Sequence, residues 1–296
     1  MEQNCGVFRL CAFADEAAAD RAGQIRALRD NRMSLLEIRN VDGVSIADLP
    51  EETARRFREE LDEAGIRVWS IGSPAGKSDI HADFGQEERR FERLLRMAEI
   101  FDASCIRLFS FYGTGGEERY FPEVCRRVET FVRMAADADV IPCHENEKGI
   151  WGDTAPRCRA LHEAVPGLRA VFDPANFVQC GQDVMQAWET LSPFVYYGHV
   201  KDCNAAGQIL PPGDGIGALR QYLPLLAAKA GDTVLTLEPH LADFVGLAGL
   251  EEDGDRSAVG QVMRFPDNRA AFDYAADCLR GILSDINVYA CRVIPG

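Results

Sequence analysis

The feature that most constrains this chain is an alternation that runs almost its whole length. Eight short runs of apolar, β-branched or aromatic residues are each followed by a longer segment with charge at helical spacing. The runs cover 7–13, 35–39, 66–72, 105–109, 140–144, 170–173, 195–200 and 233–238, and the spacing predicts helices over 17–30, 51–64, 87–101, 118–136, 155–164, 182–190, 216–229 and 267–283. Strand and helix in strict alternation imply parallel strands joined by right-handed crossovers. Eight repeats is the number that closes such a sheet on itself.

The expected fold is therefore α/β, a (β/α)8 TIM barrel in a single domain over residues 1–283, followed by a C-terminal tail over 284–296. A length of 296 residues would allow two domains, but no Gly/Ser-rich or Pro-rich linker divides the chain. Local signals agree: Gly65 follows the second helix as a C-terminal cap, and Asp153 or Thr154 precedes a helix with Pro156 in its first turn. Two stretches exceed ordinary connections. The loop over 241–267 follows the last strand and is expected as a lid, and the apolar tail can dock on its own barrel or on a second copy to make a homodimer.

A formal net charge of −15 repels phosphate backbones and anionic lipid surfaces, so neither nucleic acid nor a membrane is an expected partner. The acidity lies in helix-like stretches such as 51–63 and 87–92, as on a solvated outer ring. Ten cysteines include no Cys-x-x-Cys pair, and Cys11, Cys105 and Cys278 sit in apolar runs where cysteine acts as a small hydrophobe. With no basic-then-apolar leader at Met-Glu-Gln-Asn-Cys-Gly and no apolar stretch of spanning length, the expectation is a cytoplasmic protein.

Active sites of such barrels lie at the C-terminal ends of the strands, so the polar residues that end apolar runs carry the chemistry. The last four runs end in Glu145, Asp173, His199 and Glu238, separated by 28, 26 and 39 residues. These gaps are βα-unit lengths and bring all four to one rim. Three carboxylates and an imidazole make an oxygen-rich set suited to one divalent ion, Mn, Zn, Mg or Co. Any one of them alone would more simply cap a helix or sit satisfied in a core.

Asn146 follows the first of these residues, Asn176 stands three after the second, and Lys201-Asp202 lies just behind the third. In this order the set resembles the xylose isomerase-like TIM barrels, and among them the sugar phosphate isomerase/epimerase branch of ketose 3-epimerases, hydroxypyruvate isomerases and inosose isomerases or dehydratases. The resemblance runs from Phe-Ala-Asp-Glu at 13–16 to the last helix. It implies a small carbohydrate or cyclitol substrate and a cation bridging its carbonyl and neighbouring hydroxyl. Proton transfer would pass through a metal-bound enediolate, with Glu145 and Glu238 as both ligands and acid/base pair.

Other strand ends offer substrate contacts: Glu37, Arg39, Lys77, Arg107, Ser110, Tyr112 and Asn176. Arg39, Lys77 and Arg107 could together hold a carboxylate or phosphate, or equally form rim ion pairs with Glu37 and Asp15. Lys201 shares the strand parity of His199 and is placed to steady an oxyanion, whereas His144, one residue before Glu145, should face away from the interior. Glu147 shares the parity of Glu145, and Pro239 leaves the direction of His240 open. The Gly213-Asp214-Gly215 turn lacks a P-loop lysine and reads as a loop into the helix near Ile216.

The alternatives from other reaction classes are an inosose dehydratase-like lyase, an abasic-site endonuclease and a sugar-binding barrel without catalysis. The endonuclease needs several more histidines than the five present, and the charge opposes duplex binding.

Overall fold

In the computed structural model, which describes residues 8–229, 233–245 and 262–286, all eight runs are strands. They are β1 (Phe8–Ala12), β2 (Leu35–Ile38), β3 (Arg67–Ile71), β4 (Cys105–Leu108), β5 (Ile141–Glu145), β6 (Arg169–Phe172), β7 (Val195–Val200) and β8 (Thr233–Leu237). Each pairs in parallel with its sequence neighbours, and β8 returns to β1 with Leu237 opposite Ala12, which closes the barrel. The single (β/α)8 domain follows from the alternation, as expected.

The helices are α1 (Arg21–Asp30), α2 (Glu51–Glu63), α3 (Phe84–Phe101), α4 (Phe121–Asp137), α5 (Ala155–Ala164), α6 (Pro174–Gln179), α7 (Val184–Leu191), α8 (Leu219–Ala227) and α9 (Asn268–Asp285). In α2 the residues Ala54, Phe57 and Leu61 turn one stripe to the barrel while the charged remainder faces out. Gly65, at φ +71, ends it in the left-handed conformation, and the Ile66 N–H reaches back to the Leu61 carbonyl. Among the described residues no helix is long and apolar enough to cross a membrane.

Three differences from the sequence reading have local causes. The helix expected from residue 17 starts at Arg21, because Asp20 accepts the Gly23 N–H and caps it there. Helix α6 was not anticipated; Asp173, at the end of β6, caps it by accepting the Asn176 N–H at 2.9 Å. Helix α8 begins at Leu219 rather than near Ile216, because the Gly213, Gly215 and Gly217 N–H groups all point at the Asp202 carboxylate. The turn thus binds an anion that belongs to the chain itself. Thr154 stands at the start of α5 but its side chain caps nothing, and Asp153 pairs with Arg157 instead. The last helix runs to Asp285; residues 246–261 of the long loop and 287–296 of the tail lie outside the described residues.

Inside the barrel the lower layer is apolar, formed by Cys11, Leu35, Cys105, Cys143, Val171, Tyr197 and Val234. The eight cysteines of the described residues are free thiols. One step up the strands the same faces turn polar with Glu37, Arg107, Glu145 and His199, all buried. Alternation with period two therefore stacks an ionic layer on a dry floor.

Between the barrel and α5 lie two buried histidines, His144 and His162, with ring centres 5.7 Å apart. His162 also stacks on Phe194 at 5.1 Å. Burial pulls the His162 imidazole down to about 4, and it lowers His144 further than its ordinary range with help from the neighbouring ring. An unfolded histidine titrates near ~6.5, so below that pH the unfolded chain takes up protons that the folded chain refuses, and stability falls as pH drops toward 4. Replacing His162 by Phe keeps the stack and removes one such site. Unfolding free energies from denaturant titrations between pH 7 and 4.5 should fall less steeply for His162→Phe, by up to about 1.4 kcal/mol per pH unit; parallel curves for the two proteins would contradict this.

Candidate metal centre

Four side chains separated by up to 93 residues (145 to 238) arrive at one point because each ends a neighbouring strand. Glu145 is the last residue of β5, Asp173 and Glu238 follow β6 and β8 directly, and His199 is the penultimate residue of β7. One ligand atom from each lies within 4.8 Å of the other three, and all four residues are buried. His199 Nδ1 faces the carboxylates, at 3.1 Å from Glu238, 3.2 Å from Glu145 and 3.8 Å from Asp173.

The other face of the imidazole explains that orientation. Its Nε2 lies 3.3 Å from Glu37 Oε2, while Glu37 Oε1 accepts hydrogen bonds from Tyr197 OH at 2.8 Å and Ser70 Oγ at 3.1 Å. Glu37 is fully buried beneath the histidine. A carboxylate behind an imidazole fixes its tautomer and ring plane and leaves the opposite nitrogen to a cation. The edge between β5 and β6 is fixed by two amides. Asn146 brackets the Asp173 backbone, donating to its carbonyl at 2.9 Å and accepting its N–H at 3.0 Å. Asn176 donates to the Asn146 carbonyl at 2.9 Å and to Glu145 Oε1 at 3.3 Å.

Asp173 Oδ2 and Glu238 Oε2 are buried, and the groups nearest them are the Lys201 ammonium, 2.8 and 3.6 Å away, and His199 Nδ1, 3.8 and 3.1 Å away. Buried carboxylate oxygens are costly without positive charge nearby, and both of these lie on the side of His199 Nδ1. Burial alone would discharge His199, but Glu145, Glu37 and Glu238 outweigh it and raise its pKa well above the ordinary value. The residues present thus fit a divalent ion: the cluster attracts positive charge strongly enough to hold a proton where a metal would replace it.

Three further cations surround the carboxylates. Burial disfavours the Lys201 ammonium, yet Asp173, Glu238, Glu147 and Glu145 keep it charged well above its usual range. Its Nζ is 2.8 Å from Asp173 Oδ2 and 3.6 Å from Glu238 Oε2. Arg107 donates to Glu145 Oε2 at 3.1 Å and to the Gly72 carbonyl at 3.3 Å. Arg39 grips Asp15 through two nitrogens, at 2.9 and 3.1 Å, and also donates to Glu16 at 3.1 Å and Glu238 at 3.0 Å. Although burial opposes its ionisation, Glu238 is held well below the usual carboxylate range by Lys201, His199 and His240.

The structure brings Glu145, Asp173, His199, Glu238 and Lys201 together at one rim, and the residues expected as substrate contacts take defined places around them. Glu37 backs the histidine, and Asn176 secures Glu145. Arg39 and Arg107 form rim ion pairs, and Arg39 takes Asp15 but not Glu37 as its partner. Lys77 pairs with Glu147 at 2.9 Å and lies over the Phe109 ring. Ser110 faces outward, where its hydroxyl accepts the Gly152 N–H and meets His144. Tyr112 is half-buried on the loop after β4, with backbone bonds to Ser78 and Ile80. The sequence reading passed over Glu16 and Tyr197; Tyr197 shares the parity of His199 and was within reach, whereas nothing in the pattern singles out Glu16.

Comparison with known proteins agrees with this architecture. The family described as xylose isomerase-like TIM barrel matches residues 33–261. No curated protein sequence matches the chain. Among solved structures, the probable 3-DHS dehydratase AsbF of Bacillus anthracis is 19% identical, covers 78% of this chain and 92% of its own, and superposes with a TM-score of 0.65. The IolI protein with a bound zinc atom gives 11%, 94% and 99%, with a TM-score of 0.71. D-allulose 3-epimerase from Methylomonas sp. gives 13%, 94% and 97%, with a TM-score of 0.71. At these identities the solved structures establish a shared fold, and the family match over most of the sequence establishes more: this chain belongs to the xylose isomerase-like TIM barrel family.

Proposed function

We propose that this protein is a divalent-metal-dependent isomerase or epimerase of an uncharged sugar or cyclitol in the cytoplasm. The observation that carries the reading is the convergence of Glu145, Asp173, His199 and Glu238, all buried, within 4.8 Å. These four residues would hold one ion, Mn, Zn, Mg or Co by the mixed oxygen and imidazole donor set. When bound, such an ion supplies Lewis acidity to a substrate carbonyl and its neighbouring hydroxyl.

The chain's own groups account for the proton movements. Glu238, kept ionised by Lys201, His199 and His240, can remove the proton from the carbon beside the carbonyl, leaving the electron pair to an enediolate. Glu145, fixed by Arg107 and Asn176 across the cluster, can return a proton; the roles exchange for the reverse reaction. Delivery to the opposite face of the same carbon is epimerisation, and delivery to the neighbouring carbon is aldose–ketose isomerisation. The Lys201 ammonium is placed to donate a hydrogen bond to a developing oxyanion.

Charge balance supports an uncharged substrate. Among the described residues at this rim, Arg39, Arg107, Lys77 and Lys201 each lie against carboxylates. A phosphate arriving here would compete with those carboxylates for cations that are already buried and matched.

In deuterated water, NMR should show solvent deuterium entering a ketose or inosose, and Glu145→Gln or Glu238→Gln should slow this by about 10²–10⁴-fold; exchange at the native rate in both variants would remove them as acid and base. A panel of unphosphorylated ketoses and inososes run beside their phosphate esters should exchange only in the unphosphorylated arm, and faster exchange of the esters would overturn the charge argument. Because Glu37 orients His199, Glu37→Gln should weaken divalent-metal affinity by about 10–100-fold by calorimetry while leaving the fold intact. Unaltered affinity would show that the carboxylate is dispensable to the histidine.

A further inference from the structure

A second group of ligand atoms lies beside the first. Glu16, Glu238 and His240 each bring one donor within 4.8 Å of the others, and all three are buried. His240 is held there at a conformational cost: its φ is +47, a region side chains disfavour, and its N–H donates to Glu16 Oε2 at 2.7 Å. The imidazole Nε2 then points between Glu16 Oε1 at 3.3 Å and Glu238 Oε1 at 3.4 Å. With the residue only 7% exposed, this nitrogen has no hydrogen-bond partner. Two carboxylates and an aimed, unmatched imidazole nitrogen are the donor set of a zinc-type site.

What stands at those oxygens is a guanidinium. Arg39 donates from Nη2 to the same Glu16 Oε1 at 3.1 Å and from Nη1 to the same Glu238 Oε1 at 3.0 Å, while Nε and Nη2 also hold Asp15. The group is clamped between the Phe13 ring, 4.3 Å away, and the Phe244 ring, 4.6 Å away. A metal ion and this guanidinium would compete for the same two oxygens. An arginine also cannot be deprotonated and offers a planar fork that spans two carboxylates.

We infer that Arg39 is a built-in cation that fills a second metal pocket formed by Glu16, Glu238 and His240, and so keeps the centre mononuclear. It also fixes the Oε1 edge of Glu238, so that Oε2 faces the first site. The inference rests on the proposed metal dependence, because Glu238 is shared between the two pockets.

The test is Zn²⁺ stoichiometry, measured by calorimetry and by metal analysis after gel filtration. The wild-type chain should bind one ion. Arg39→Met, which retains a stem between the two phenyl rings, and Arg39→Ala should each bind two. Arg39→Lys, which keeps a positive charge, should bind one, and Arg39→Met with His240→Phe should return to one. Two ions in the wild-type chain would overturn the inference whether or not the variants fold, as would a single ion in folded Arg39→Met and Arg39→Ala. No ion in the wild type would instead remove the metal reading itself, and this proposal with it.

Discussion

Concentrated negative charge at one end of a dry barrel is the constraint to which the rest of this structure answers. Glu37, Glu145, Asp173 and Glu238 are all buried around His199, with Asp15 and Glu16 close behind. Transfer of several carboxylates out of water is tolerable only if each is matched by positive charge or by hydrogen-bond donors. The solutions are visible one by one: a single guanidinium nitrogen on each of Glu145 and Glu238, an ammonium on Asp173, a phenol and a hydroxyl on Glu37. Asp173 Oδ2 and Glu238 Oε2 both lie near the Lys201 ammonium and face the histidine. A site arranged in this way gathers three carboxylates and an imidazole within 4.8 Å, the donor set of a divalent ion.

The same constraint explains how much of the molecule could be read from its sequence. The barrel was legible because each of its eight strands is a short run dominated by apolar, β-branched or aromatic residues, set off from the charged helical segments on either side. The four converging residues were legible for the same reason, since a charged residue that terminates such a run can only lie at the rim. Arg39 and Glu37 were harder. They sit at the same strand ends as true substrate contacts would, and sequence does not say whether a rim cation faces a ligand or a neighbouring carboxylate. That choice depends on distances between β1, β2 and β8, which the spacing of residues along the chain does not encode.

Local features were missed where side chains override pattern. Helix α6 is only six residues long and exists because Asp173 both ends β6 and caps the next turn. No periodicity is detectable over so short a segment. The strained His240 follows a proline and is held by Glu16, more than two hundred residues earlier in the chain, so its orientation is a tertiary property.

The loop behind Lys201 shows what such packing permits over evolutionary time. Asp202 receives backbone N–H groups from three alternate glycines, and a methyl group at Gly215 would run into its carboxylate while one at Gly217 would come within 2.7 Å of it. Between those glycines stand Asp214 and Ile216, both exposed. Substitution without a clash is therefore confined to every second position of this segment: Asp214 and Ile216 can change on the solvent side while the glycines keep the backbone path around Asp202.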